Sequence, residues 1–132
     1  VLSAEKAFHG RTSLAVEVTN NPKIIAPIND CGHVTYLPLN DLEAWERELA
    51  KGDVAACIIE CIQGVGGIRM VNEEFAKGLQ SACKKYGTVL ICDEIQAATD
   101  VAASSSPTSG SAFVPTSSPA PRVLATVSRW VP

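Results

Sequence analysis

Acidic side chains follow two apolar segments of the chain. Glu60 comes directly after Val54–Ile59, and Asp93 and Glu94 come directly after Thr88–Cys92. Short, continuous apolar runs are typical of strands that are buried on both faces of a parallel sheet. In such sheets the functional side chains collect just past the carboxyl ends of the strands. The spacing therefore predicts a site that is built around Glu60 and Asp93.

A carboxylate at the end of a buried strand has three interpretations. In a P-loop ATPase, Asp93 would hold Mg²⁺, but the required G-x-x-x-x-G-K-[ST] loop is missing because the sequence contains no Gly-Lys-Ser or Gly-Lys-Thr. A buried Asp can instead keep a pyridoxal phosphate (PLP) ring protonated, so that the ring acts as an electron sink. The third interpretation is a solvated carboxylate that only ends a strand.

Two helices are predicted beside these strands. The first has Asn40 as its N-cap, Glu43 reaching back from the N3 position, and Gly52 just past its end. The second begins at Asn72 and stops at Gly87, with Lys84 and Lys85 complementing the dipole of its last turn. Its apolar stripe, at helical spacing, comprises Phe75, Leu79, Ala82, Cys83 and Tyr86.

Strands that alternate with helices predict the α/β class with right-handed βαβ units, and Val34–Leu37 is a further strand candidate. The 132 residues suffice for one ordinary domain. A net charge of -3 with 19% charged residues excludes a strongly basic nucleic-acid binder. The sequence has no apolar run near the roughly 18 residues of a membrane-spanning helix.

The cysteine pattern favours reduced thiols over disulfides or a metal site. The five cysteines are odd in number and form no C-x-x-C motif, and most lie in apolar stretches. A zinc site is not predicted, because neither His9 nor His33 has ligand spacing to a pair of cysteines.

Three motifs, in this order and spacing, resemble the class III PLP-dependent aminotransferases. They are AFHGRT at 7–12, IIECIQGVGG at 58–67 and LICDEIQ at 90–96. Within the family they most resemble the branch that uses acetylornithine or succinylornithine. The resemblance covers residues 1–96. It implies a fragment of the large domain of PLP-dependent transferase fold type I, which is a mostly parallel sheet with flanking helices.

The resemblance also implies roles for individual residues. Phe8 would stack on the PLP ring, Asp93 would pair with the pyridine nitrogen, and Gln96 would hydrogen-bond to the phenolic oxygen. Glu60 would be a further carboxylate near the cofactor. Arg11 would pair with the α-carboxylate of the substrate, for which a planar guanidinium is suited.

The implied reaction moves an amino group from N-acetylornithine or N-succinylornithine to 2-oxoglutarate in arginine biosynthesis, with ornithine aminotransferase as an alternative. The family implies a cytoplasmic homodimer with small-molecule substrates and no nucleic-acid or membrane partner. His9 is expected to be a packing residue beside the cofactor. Two residues depart from the family pattern: Cys61 stands where Pro is usual, and Val65 stands where many members have Glu.

Residues 97–132 have a different composition from the preceding chain. They are rich in Ala, Ser and Pro and carry only three charges, so we expect a disordered tail without a fold. No lysine follows Lys85, so the Schiff-base lysine of the family is missing and no catalytic residue is assigned. The codons that encode the tail can spell the family's continuation in a neighbouring frame, with this lysine across Pro121 and Arg122. We therefore predict a missing base just after Gln96, and the alternative to an enzyme is an inactive, truncated product.

Overall fold

A computed structural model of the protein describes residues 1–95 and the backbone of residues 126–128. The helices are α1 (Ser13–Val18), α2 (Leu42–Leu49) and α3 (Glu73–Tyr86), with a single 3-10 turn at Pro27–Asn29. The strands are β1 (Leu2–Ala4), β2 (Thr35–Leu37), β3 (Ala56–Glu60), β4 (Ile62–Gln63), β5 (Arg69–Met70), β6 (Val89–Asp93) and β7 (Thr126–Ser128).

The main sheet has the order β2-β1-β3-β6-β7, and its first four strands are parallel. In the β3–β6 pair Ala56 is opposite Val89 and Glu60 is opposite Asp93. The α/β class and the parallel pairing of the two apolar runs are therefore confirmed. In each strand the second and fourth residues are buried on the face toward the core, and the first and third are half-buried on the other face. The last residue of each strand, Glu60 or Asp93, is also buried.

β7 lies at the edge of the sheet, antiparallel to β6, with Val127 opposite Ile91. It belongs to residues 97–132, for which the sequence predicts little regular structure, and its three residues are the part of that segment that the structure describes. The remainder of that segment lies outside the described residues, as does Gln96.

The hydrophobic core lies between the sheet and the α2–α3 pair. Trp45 and Phe75 are fully buried and meet edge to face, with ring centroids 5.6 Å apart and planes at 79°. They pack against the inward-facing residues of the central strands, which are Cys57, Ile59, Leu90 and Cys92. This contact fixes the positions of β3 and β6, whose carboxyl ends carry the acidic side chains.

The predicted start of the first helix is wrong by one residue. Asp41, and not Asn40, is the N-cap of α2, because its side chain accepts a hydrogen bond from the N–H of Ala44 at 3.1 Å. Asn40 has a left-handed backbone, with φ of 68°, and its side chain instead joins the segment around β5 to the start of α3. Its Oδ1 accepts from the N–H of Asn72 at 3.0 Å.

The prediction for the second helix is confirmed. Asn72 is the N-cap of α3, and its Oδ1 accepts from the N–H of Phe75 at 2.7 Å. Gly87 ends the helix with a left-handed φ of 69°. The short elements β1, α1 and the β4–β5 hairpin are not predicted from the sequence. In the described part of the chain, no helix has the length and apolar character needed to cross a membrane.

Candidate active site

Three side chains from three neighbouring parallel strands surround one cavity. Glu60 ends β3 and Asp93 ends β6, so the register places them side by side at the carboxyl edge of the sheet. Phe8 follows β1, the neighbour of β3 on its other side. The cavity has a volume of about 100 Å³, and its lining residues are Phe8, His9, Gly10, Glu60, Val65, Asp93 and Ile95.

The Asp93 carboxylate is nearly buried and is held by two hydrogen bonds. Its Oδ2 lies 2.9 Å from Nδ1 of His9, whose side chain is only 2% exposed. Its Oδ1 accepts from the backbone N–H of Ile95 at 3.1 Å. The other ring nitrogen of His9, Nε2, is buried and has no hydrogen-bond partner among the described residues. His9 therefore orients the carboxylate, which is a more specific role than the packing expected from the sequence.

The Glu60 carboxylate lies beside this pair. Its Oε2 accepts from the backbone N–H of Phe8 at 3.0 Å, which ties the segment after β1 to the end of β3. Burial raises the pKa of Glu60 most strongly, and the charge of Asp93 raises it further. The hydrogen bond from the Phe8 backbone and the electrostatic interaction with His9 act in the opposite direction and lower this pKa.

Several contacts hold the segment that carries Phe8 and His9. The backbone N–H of His9 donates to Oγ1 of Thr19 at 2.9 Å, and Nε2 of the buried Gln63 donates to the carbonyl of Glu5 at 3.0 Å. Gly66 approaches the same segment so closely that a Cβ there would lie 2.8 Å from the carbonyl oxygen of Lys6. The β4–β5 hairpin therefore supports one wall of the cavity.

Of the five site residues predicted from the sequence, the structure brings Phe8, Glu60 and Asp93 together. Arg11 is exposed and does not line the cavity. Gln96 lies outside the described residues. The hydrogen bond of His9 to Asp93 was not predicted, since 84 positions separate the two residues and no local pattern relates them.

The lining of the cavity fits the ring of PLP. An aromatic side chain and a buried carboxylate face the same space, as a planar, protonated pyridine ring requires. Asp93 accepts two hydrogen bonds, and a carboxylate offers about four acceptor positions, so it keeps capacity for a ring N–H. No described residue of the lining is Lys or Arg.

The two departures from the family pattern lie at this edge of the sheet. Val65 lines the cavity and is 68% exposed. Cys61 follows β3 and is half-buried against the core. A hydrogen bond with the thiol of Cys92 lowers the pKa of Cys61, against the opposing effect of burial.

The parallel sheet carries an aromatic residue, two carboxylates and a buried histidine at its carboxyl edge, and this arrangement agrees with the large domain of PLP-dependent transferase fold type I that the sequence resemblance implies. Residues 1–103 match the family described as aminotransferase class III, and the chain belongs to this family.

Individual relatives support the same family. The chain is 37% identical over 97 residues to acetylornithine aminotransferase of Bacillus amyloliquefaciens, which covers 73% of this chain and 42% of that protein. It is 39% identical over 97 residues to acetylornithine aminotransferase of Listeria monocytogenes (strain F2365), covering 73% of this chain and 25% of that protein. The chain thus spans less than half the length of these relatives.

Solved structures agree in fold. Ornithine aminotransferase of Toxoplasma gondii ME49 superposes with a TM-score of 0.65 at 26% identity, over 72% of this chain and 23% of that chain. N-acetylornithine aminotransferase of Stenotrophomonas maltophilia K279a gives a TM-score of 0.54 at 30% identity, over 73% of this chain and 21% of that chain.

Proposed function

We propose that residues 1–96 are the cofactor-binding part of a PLP-dependent aminotransferase that moves an amino group from N-acetylornithine to 2-oxoglutarate. The observation that carries the proposal is the shared cavity of Phe8, Glu60 and Asp93, with the Asp93 carboxylate oriented by His9. The named acetylornithine relatives support this substrate class. The ornithine aminotransferase neighbours support ornithine as the second candidate substrate.

Each residue has a distinct task in this proposal. When bound, PLP would supply an electron sink for the negative charge that develops at the amino-acid Cα. Asp93 would hold the proton on the ring nitrogen, and Phe8 would cover one face of the ring. Glu60 keeps the Phe8 backbone in place through the 3.0 Å hydrogen bond. By resemblance to the family, Arg11 would bind the substrate carboxylate from outside the lining of the cavity, and Gln96 would donate to the phenolic oxygen of the ring.

We also propose that the chain is frameshifted after Gln96, so that residues 97–132 stand in place of the segment with the cofactor-anchoring lysine. Ring stacking and charge-assisted hydrogen bonds of roughly 1.5–3 kcal/mol each would then be the only attachments of the ring. The 132-residue chain should bind PLP weakly and reversibly, and it should not transaminate. The family further supports a cytoplasmic homodimer that acts on small molecules.

The test is to resequence the gene across the Gln96 codon and to express the protein with the frame restored and extended at both ends to the length of its relatives. We expect glutamate to form from 2-oxoglutarate with N-acetylornithine, and a higher kcat/KM than with ornithine. Asp93→Asn should lower kcat by at least tenfold while the exposed Asp53→Asn control keeps full activity. A higher kcat/KM for ornithine would favour the second candidate. Transamination by the 132-residue chain itself would refute the frameshift.

A further inference from the structure

A second cluster of reactive side chains lies away from the cavity of Asp93. One donor atom each from Glu17, Cys31 and His33 lies within 4.8 Å of the other two. Glu17 belongs to α1, whereas Cys31 and His33 belong to the loop before β2. The backbone carbonyl of His33 accepts from the amino group of Val1, at the amino end of β1 and therefore at the opposite edge of the sheet from Asp93.

Glu17 is the fixed member of this cluster. Its side chain is 8% exposed, and its Oε1 accepts from the backbone N–H of His33 at 3.0 Å. The same oxygen lies 3.7 Å from Nδ1 of His33, so the imidazole already faces the carboxylate. The hydroxyl of Tyr36 donates to the backbone carbonyl of Glu17, which fixes the residue further. A carboxylate that is buried to this degree is costly unless it is well paired.

Cys31 and His33 are the adjustable members. Both are exposed, and Cys31 is not part of a disulfide; its thiol makes only a long, weak contact of 3.9 Å with the carbonyl oxygen of Ile28. Gly32 between them has a left-handed φ of 70°, which turns the chain so that its two neighbours reach the same side. Since both side chains border solvent, they can rotate toward Glu17 without disturbing the core.

We propose that Glu17, Cys31 and His33 form a zinc site that joins α1 to the loop before β2. A thiolate, an imidazole and a carboxylate are all zinc ligands. Sulfur and nitrogen donors favour Zn²⁺, whereas Mg²⁺ and Ca²⁺ bind mainly to oxygen. Bond lengths of about 2.0–2.3 Å place the ligands of a tetrahedral zinc about 3.3–3.6 Å apart. The cluster needs a contraction of about 1 Å, which rotation of Cys31 and His33 supplies.

The exposure of Cys31 and His33 leaves the fourth coordination position open to water. The charges also balance, because a thiolate and a carboxylate together neutralise Zn²⁺. The role assigned to the metal is structural: it stabilises the connection between α1 and β2, at a distance from the cofactor cavity. The site does not depend on the aminotransferase activity.

The experiment titrates Zn²⁺ into the metal-free, reduced 132-residue chain by calorimetry, with Co²⁺ as a spectroscopic probe of thiolate coordination. We expect one-to-one binding and a Co²⁺–thiolate absorption band. Cys31→Ser and His33→Gln should each weaken binding at least tenfold and should leave the fold intact because both residues are exposed. Glu17→Gln should weaken binding as well, because a neutral amide is a poorer zinc ligand than a carboxylate. Its amide oxygen can still accept from the His33 backbone, so the fold should be kept.

Cys61→Ser is the matched control, because Cys61 is a partly exposed cysteine outside the cluster. It should leave the zinc affinity and the Co²⁺ band unchanged. Equal loss of binding in Cys61→Ser and Cys31→Ser would overturn the proposal, as would unchanged binding in both Cys31→Ser and His33→Gln. No heat of binding at millimolar Zn²⁺ would also overturn it.

Discussion

Replacement of Asp93 by Ala should destabilise the chain far more than replacement by Asn. The Ala variant removes the acceptor of His9 Nδ1 at 2.9 Å and the acceptor of the Ile95 N–H at 3.1 Å. Because Nε2 of His9 is already unpartnered among the described residues, both nitrogens of a 2% exposed ring would lack a partner. A buried group left in this state costs about 1–3 kcal/mol, and loss of the Ile95 bond costs about 0.5–1.5 kcal/mol.

The Asn variant keeps both hydrogen bonds in a weaker form. Its amide oxygen can accept from Ile95 and its amide NH₂ can donate to Nδ1 of the other His9 tautomer. What it loses is the difference between a charge-assisted and a neutral bond, about 1 kcal/mol. The expected order of unfolding free energy is therefore wild type, then Asp93→Asn, then Asp93→Ala. The Ala variant should lie about 2–4 kcal/mol below the wild type.

Urea unfolding followed by tryptophan fluorescence measures these differences. Trp45 is fully buried and reports on the core, and a Trp130→Phe background removes the only other tryptophan. The midpoints convert to free energies if the slope of the transition stays constant. Asp53→Ala, an exposed aspartate in the loop before β3, is the matched control and should change the free energy by less than about 0.5 kcal/mol. If Asp93→Asn is as damaging as Asp93→Ala, or if neither differs from the control, the orienting role of His9 is wrong.

Three further predictions follow from burial and pKa. The folded-state pKa of Glu60 is raised, so the unfolding free energy should fall as pH increases through that pKa. Urea midpoints measured across a pH series should show this fall, and Glu60→Gln should make it smaller. Iodoacetamide should label Cys61, whose pKa is lowered, and exposed Cys31 before the three buried cysteines, as read by peptide mass spectrometry. Phe75→Ala should cost about 3–5 kcal/mol in the same urea assay, because the ring is fully buried against Trp45. The first prediction fails if Glu60→Gln shifts the urea midpoint by the same amount at every pH. The second fails if all five cysteines are labelled at one rate, and the third if Phe75→Ala lowers the unfolding free energy by less than about 1 kcal/mol.

The elements that the sequence predicts correctly are those whose signal is local. α3 has a capping Asn72, a periodic apolar stripe and a terminal Gly87, and each of these features acts within one or two turns. The β3 and β6 runs are apolar throughout, which indicates burial without knowledge of the neighbouring strand. β1, of three residues, has no such signal, since its pairing with β2 and β3 comes entirely from distant parts of the chain.

The N-terminal cap of α2 shows how a tertiary contact can change a local rule. Asn40 and Asp41 are both good N-cap residues, and local spacing favours Asn40 because Glu43 follows at the capping-box position. In the structure the Asn40 side chain hydrogen-bonds to the backbones of Met70 and Asn72, which are 30 or more positions away. Asp41 caps the helix instead. Propensity did not distinguish the two residues because the competing partner is distant.

The contrast between local and distant signals also applies to the residues of the cofactor cavity and of the proposed zinc site. Glu60 and Asp93 were predictable because each comes directly after an apolar run and lies at the carboxyl end of its strand, and parallel strands bring such positions to one edge. The His9–Asp93 bond joins residues whose meeting depends on the β1-β3-β6 order, and the cluster of Glu17 with Cys31 and His33 depends on how the connection between β1 and β2 folds back on α1. A zinc search restricted to cysteine pairs misses this cluster, because only one of its ligands is a cysteine.

The strand order also explains why the fold produces a site at all. Phe8 follows β1, whereas Glu60 and Asp93 end β3 and β6, and these three strands are adjacent in space but separated by long stretches of sequence. Because β1, β3 and β6 run in the same direction, their carboxyl ends lie at one edge. The hydrogen bonds of Glu60 to the Phe8 backbone and of His9 to Asp93 then join the first strand to the other two across that edge. A substitution that breaks either bond should therefore loosen the cavity before it unfolds the sheet, because the core contacts of Trp45 and Phe75 lie on the opposite side of these strands from His9.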